Sequence, residues 1–316
     1  MQEMLLAVLM LLAGFVLLIK GADFFVEGSS SVAKRLRIPS IIIGMTIVAM
    51  GTSLPECAVS VTASLSNQNE LAISNAIGSN IFNLMVVCGA CALFAPLLVE
   101  VGTLKREFPF SFLCAGLLLA LGYFGMSLGH VDGIVMLIIF AAYLTYMVLS
   151  AKKARKAGAQ EKDESYKILP IWKCALFILG GAAAIKFGGD FVVDGASVIA
   201  AKFGLSPNLI GLTIVSMGTS LPELVTSIVA ARKNEVDMAV GNVIGSNIFN
   251  ILLVLGVAGA ISPIAFAMEN MIDIILLIVM SVVVWIFAWS NKKIVRGEGA
   301  VMLAVYAGYM VYICIR

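Results

Sequence analysis

Glu56 and Glu223 each close the hexapeptide GTSLPE, once at 51–56 and again at 218–223, inside otherwise apolar sequence. A carboxylate at the centre of a membrane helix costs about 2.5–3.5 kcal/mol on insertion scales. Neither apolar stretch holds a lysine or arginine to offset that cost. Two bare carboxylates brought together in a low dielectric are tolerated when a cation lies between them. Oxygen ligands stand close by. Thr52 and Glu56 are four residues apart on one helical face with Ser53 beside it, and Thr219, Ser220 and Glu223 repeat the arrangement. Pro55 and Pro222 bring no N–H to the carbonyls of Gly51 and Gly218 and distort the preceding turn. These four residues support a helix break that makes carbonyls around Ala49 to Gly51, and around Ser216 to Gly218, candidate ligands.

A second string, GSNIFN at 78–83 and 245–250, places Ser79 with Asn83, and Ser246 with Asn250, four apart on one face. Carboxylate, hydroxyl, amide and carbonyl oxygens, without sulfur or imidazole, select hard cations such as calcium or sodium. Calcium takes about six to eight oxygens in a flexible cage, whereas magnesium keeps its waters and fits less well. Reorienting the bare pair of carboxylates through hydrocarbon would be prohibitive, and loading compensates them. A carrier that switches sides only when loaded is an exchanger.

The elements that must position these groups follow from composition. The 316-residue chain is 61% hydrophobic and 13% charged, with mean hydropathy +1.04, against roughly 25% charged residues in a soluble domain. An all-α integral membrane protein is expected. A net charge of +2 gives no footing for a nucleic-acid partner. Apolar stretches of bilayer-spanning length fall near 4–33, 39–65, 71–98, 108–128 and 131–150, then near 168–200, 206–231, 237–261, 270–290 and 299–315. No period-two alternation supports a barrel. The first stretch has neither a basic leader nor a small-residue cleavage site, so it reads as a transmembrane helix rather than a signal peptide. Sixteen lysines and arginines fall in the loops on one side of the ten spans and two, Lys202 and Arg316, on the other. That bias puts both termini on the extracytoplasmic side of the membrane.

Gly51 and Gly218, Glu56 and Glu223, Ser79 and Ser246, and Asn83 and Asn250 are each 167 residues apart, and twelve of the fourteen residues from 43 to 56 match their partners at that offset. Residues 1–150 and 168–316 therefore read as two repeats of five spans, joined by a polar cytoplasmic linker at 151–167. Five is odd, so the second repeat enters the membrane inverted, a transporter architecture with its site near mid-membrane.

GTSLPE followed by GSNIFN, once per half, resembles the sodium/calcium exchanger branch of the cation/calcium exchanger superfamily. The resemblance covers nearly the whole chain, is nearest the compact prokaryotic members, and with that compactness implies a cell (inner) membrane. It implies an antiporter that moves calcium against a sodium gradient, with the ions as cargo and no cofactor. It also implies a calcium site on Glu56 and Glu223 flanked by Thr52 and Thr219. Sodium sites would add Ser53, Ser220, Ser79, Ser246 and the carbonyls of Ala49 and Ser216, with Asn83 and Asn250 completing the centre. The long spans 1 and 6 would slide across the other eight. Asparagine at 250, where potassium-dependent relatives carry aspartate, argues against potassium dependence. A proton/calcium antiporter is the alternative, disfavoured by the intact first GTSLPE. A cation channel is a further one, opposed by the buried-charge argument.

Other features have plainer readings. Cys88 and Cys91 form a CxxC in apolar sequence without a second pair or a nearby histidine, so packing is expected. His130 reads as a solvated loop residue, and a nucleophile without a base excludes an intramembrane hydrolase. The chain is not expected to be an enzyme or to need an obligatory protein partner. Asp23 with Glu27, and Asp190 with Asp194, could line an ion entrance or pair with Lys20 and Lys186. Trp172, Trp285 and Trp289 stand where interface anchors would.

Overall fold

The computed structural model describes residues 2–66, 68–157, 168–205, 214 and 216–315, and these are largely helical. Helix α1 (Gln2–Leu36) ends where Arg37 turns to a left-handed φ of 57° ahead of Pro39. Helices α2 (Ser40–Thr52) and α3 (Leu54–Leu65) form one apolar stretch bent by 49°. Then come α4 (Glu70–Phe94), α5 (Glu107–Tyr123), α6 (His130–Lys156) and α7 (Ile171–Lys202). The last four are α8 (Leu221–Arg232), α9 (Val236–Ile261), α10 (Met268–Asn291) and α11 (Arg296–Ile315). Seven of these, α1, α4, α6, α7, α9, α10 and α11, are long and apolar enough to cross a membrane, and the bent pair α2–α3 makes an eighth. Helix α5 has 17 residues, and α8 follows residues 206–213 and 215, which lie outside the description.

Several expected boundaries move for local reasons. The span expected over 108–128 stops at Tyr123, because Gly125 and Met126 turn the chain with φ of 102° and 51°. The span expected over 71–98 stops at Phe94, ahead of Pro96. The helix expected over 131–150 runs on: α6 continues to Lys156, with Lys153, Arg155 and Lys156 in a last turn where positive charge is favoured. Residues 158–167 lie outside the described ones.

Among the described residues, four two-residue strands tie the loops. β1 (Leu97–Leu98) runs antiparallel to β4 (Lys293–Ile294), in register Leu97 with Ile294, and β2 (Ser127–Leu128) to β3 (Ile264–Ala265), in register Ser127 with Ala265. β3 lies 167 residues after β1, so each finds its partner in the other half of the sequence.

Burial separates a centre from a periphery. Within their most apolar windows 72% of α4 and 78% of α9 are buried, against 22% of α1 and 17% of α11. α4 and α9 clasp each other reciprocally: Asn80 Nδ2 donates to Asn247 O at 3.1 Å, and Asn247 Nδ2 to Asn80 O at 3.2 Å. Replacing Asn247 by leucine leaves the Asn80 carbonyl without that donor. The expected cost is about 1–2 kcal/mol, read as a lower midpoint of thermal unfolding in detergent.

α1 and α7 lie against each other through glycines that recur every seven residues, Gly14, Gly21 and Gly28 on one and Gly181, Gly188 and Gly195 on the other. A Cβ at Gly14 would come 2.7 Å from Gly188 O, and one at Gly181 2.8 Å from Gly21 O. Small residues on facing surfaces are how membrane helices bring backbones this close.

Candidate functional site

The bend between α2 and α3 falls at Ser53, whose φ, ψ of −85°, 10° leave the helical region. Ser53 N still reaches Ala49 O at 3.0 Å, so the carbonyl left without a helical N–H by the proline is that of Gly51. Before the bend, Gly44–Val48 widens into a π-helical turn, and so do Asn83–Val87 in α4 and Asn250–Leu255 in α9. Single π-turns of this kind cluster at functional sites. Two of the three begin on an asparagine named from the sequence. In the second half Ser216 opens the short turn Ser216–Gly218 ahead of α8, where Ser220 N bonds Met217 O at 3.2 Å.

Glu56 and Glu223 are completely buried and are electrostatic neighbours. Each has one oxygen held from the opposite half. Ser53 Oγ donates to Glu223 Oε1 at 2.7 Å, and Ser220 Oγ donates to Glu56 Oε1 at 3.1 Å. Ser246 adds a longer bond of 3.4 Å to Glu223 Oε1, while Ser79 neighbours Glu56 without reaching hydrogen-bond geometry. The second oxygen of each carboxylate is buried without a hydrogen-bond partner among the described residues. So are both side-chain polar atoms of Asn83, the Ser79 hydroxyl and the Asn250 Oδ1. Buried polar atoms are nearly always partnered, and a concentration of orphaned oxygens is what a cation-binding cage presents.

The hydroxyls of Thr52 and Thr219 also cross to the opposite half, and Thr52 neighbours Glu223 there. Thr52 Oγ1 donates to Asn242 Oδ1 at 3.1 Å and Thr219 Oγ1 to Asn75 Oδ1 at 3.4 Å. Asn75 and Asn242 were not singled out from the sequence, yet each reaches back to its own half, to Ser60 Oγ at 3.0 Å and to Ser227 Oγ at 2.9 Å. The 167-residue offset could have found all four, since both pairs are identical across it. Asn80, from the clasp, also accepts Asn250 Nδ2 at 3.2 Å. The packing behind the break is equally close: Gly51 faces the Phe25 ring of α1, and Gly218 faces Val193 of α7.

Among the described residues no three His, Cys, Asp or Glu side chains converge. Two carboxylates supplemented by neutral oxygens match a hard cation. Cys88 and Cys91 are buried and free, as packing requires. His130 departs from its expected place in a loop: it begins α6, and its Nδ1 lies 2.9 Å from Ala260 O. Trp285 hydrogen-bonds Leu104 O at 2.7 Å, whereas Trp172 and Trp289 stay exposed.

The family model described as sodium/calcium exchanger protein matches residues 6–149 and 173–315. CaxA of Alkalimonas amylolytica is 40% identical over 316 residues, covering 97% of this chain and 98% of that protein. The sodium/calcium exchanger MaX1 of Methanosarcina acetivorans is 32% identical, covering 96% and 97%. A solved structure of the sodium-calcium exchanger NCX_Mj, soaked with sodium and strontium, superposes with a TM-score of 0.83 at 32% identity, covering 97% of this chain and 98% of that one.

Proposed function

The chain belongs to the sodium/calcium exchanger family, whose members are membrane transporters rather than enzymes, and we propose that it extrudes Ca2+ in exchange for Na+ by alternating access. Calcium and sodium are the cargo. The cage is built from Glu56 and Glu223 with Asn83 and Asn250 at its centre and the backbone oxygens of Thr52 and Thr219 beside it. Sodium ions use Ser53, Ser220, Ser79 and Ser246 with the carbonyls of Ala49 and Ser216. Gly51, Pro55, Gly218 and Pro222 keep the two breaks open. The relatives named for sodium/calcium exchange support this choice of ions.

Residues 1–150 and 168–316 form two inverted five-helix halves around this cage, with 151–167 as a cytoplasmic linker and both termini outside. In this reading α5 and the stretch expected near 206–231, which α8 closes, count as the two spans that bring the total to ten. What supports this reading is reciprocity: serine to glutamate, threonine to asparagine and asparagine to backbone, each contact recurs 167 residues on with the halves exchanged.

One observation carries the proposal. Each glutamate is fixed at one oxygen by the other half and left unpartnered at the second. A cation on the free oxygens therefore joins the halves, and its loss leaves two negative charges that oppose reorientation in hydrocarbon. Radioactive calcium uptake into liposomes preloaded with sodium, potassium or choline tests it. Uptake driven by internal sodium alone is expected. Equal uptake in choline would mean a channel, and uptake that follows only an imposed pH gradient would mean proton antiport.

A further inference from the structure

Among the described residues, two buried carboxylates lie outside this cage, Asp273 and Glu235. Glu235, with 7% of its side chain exposed, sits in the turn between α8 and α9 beside Lys233. Asn234 between them adopts a left-handed φ of 61°, a conformation asparagine tolerates, and the turn presents both neighbours to α1. Lys233 Nζ lies 2.6 Å from Asp23 Oδ1 and 3.9 Å from Glu27 Oε2, and donates to Asp23 O at 3.0 Å. Glu235 accepts from Ser30, and from Ser40 at 3.0 Å, and lies 3.5 Å from Lys34 Nζ. Asp23, Glu27, Ser30 and Lys34 follow one another by four, three and four residues, so they form one stripe along α1.

Among the described residues, the other end of the molecule lacks the counterpart. At the 167-residue offset Ser66 and Gln68 replace Lys233 and Glu235, and Ala201 replaces Lys34. Asp190, the counterpart of Asp23, pairs within its own helix with Lys186 at 2.5 Å, and the buried Ser197 hydroxyl, the counterpart of Ser30, has no partner among the described residues. The cavities differ in the same sense. A cavity of about 330 Å³ on that side reaches Gly218, Thr219, Pro55 and Pro222, which flank the cage. The cavity of about 350 Å³ at the charged stripe is lined by Ile19, Lys20, Asp23, Val229, Arg232 and Lys233 and touches no cage residue.

We propose that the 233–235 turn is a one-sided latch on α1, which holds the cage closed at the end carrying Arg232 and Lys233 and open at the other. The latch rests on the exchanger reading above, and in the orientation proposed there the closed end is cytoplasmic. It makes the sidedness of the resting carrier a property of two charged residues that break the internal repeat.

Hydrogen exchange of the full-length protein in lipid nanodiscs, in buffer free of sodium and calcium, tests it. In a Lys233→Met/Glu235→Gln variant, amide exchange over 30–40 and 229–237 is expected to rise about tenfold or more through local opening, while 60–66 and 195–205 stay unchanged. Lys233→Arg, which keeps the charge, should match the parent. The single variant Lys233→Met gives the same pattern at smaller size if the double variant does not fold. Unchanged exchange over 30–40, or an equal rise at both ends, would overturn the latch. No transported ion is present, so the result is independent of the cargo. Failure of the exchanger reading would appear in the uptake assay with the latch signal intact.

Discussion

Glu223→Gln is expected to lower sodium-driven calcium uptake by about a hundredfold or more, with Glu56→Gln close behind. Glutamine keeps the size of the side chain and an oxygen for the serine of the opposite half, Ser53 at 2.7 Å or Ser220 at 3.1 Å. It removes one of the two negative charges that the proposed cage sets against a divalent ion. Removing one partner of a buried ionic contact costs about 3–5 kcal/mol, and at about 1.4 kcal/mol per decade that predicts at least a hundredfold. The measurement is initial uptake of radioactive calcium against internal sodium, with protein incorporation matched by immunoblot. A variant within threefold of the parent would remove the carboxylate from the cage. Ser53→Ala is the graded control: it frees Glu223 Oε1 without changing charge and should give a smaller loss.

The second large effect is structural. Gly188→Val should give protein that unfolds far below the parent temperature or fails to accumulate in the membrane. A Cβ there would sit 2.7 Å from Leu18 N and 2.8 Å from Gly14 O. Both are backbone atoms, so relief requires α1 and α7 to separate along their length rather than one rotamer to turn. Overpacking of an ordinary core site costs about 1–3 kcal/mol, and a backbone obstruction sets that as the floor. Gly180→Val on the same helix is the matched control, because nothing lies within 4 Å of a Cβ at that position. Equal melting of the two variants, by fluorescence-detected size exclusion after heating, would show that helix propensity rather than close approach governs the site.

The carboxylates, serines and asparagines of the candidate site could be picked out because a charged or amide group in apolar sequence is conspicuous, and because the pattern occurs twice. Helix ends were less so. Apolar residues continue through Phe124 and into Leu97–Leu98, and only the backbone reversal at Gly125–Met126 or the proline at 96 ends the helix. Asn75 and Asn242 escaped notice because they read as part of a small-residue run, although their identity across the repeat was available. Glu235 escaped for the opposite reason. It has no twin, its partners Ser30, Lys34 and Ser40 lie some two hundred residues away, and nothing in its neighbourhood sets it apart from other loop charges. Threonine hydroxyls illustrate a third limit: sequence spacing puts Thr52 on the face of Glu56, but its hydroxyl meets Asn242 and Glu223 of the other half.

The crossed contacts also bear on biosynthesis. Ser53 waits for Glu223, Asn80 for Asn247, and strand β1 for β4, intervals of roughly 170 to 200 residues of chain. At synthesis rates of about 5–20 residues per second, the first half resides in or beside the translocon for roughly ten to forty seconds with a glutamate and several amides unsatisfied. Its insertion is therefore provisional. The second half is expected to act as an intramolecular chaperone for the first, so truncation after α6 should yield a polypeptide that is degraded rather than stored.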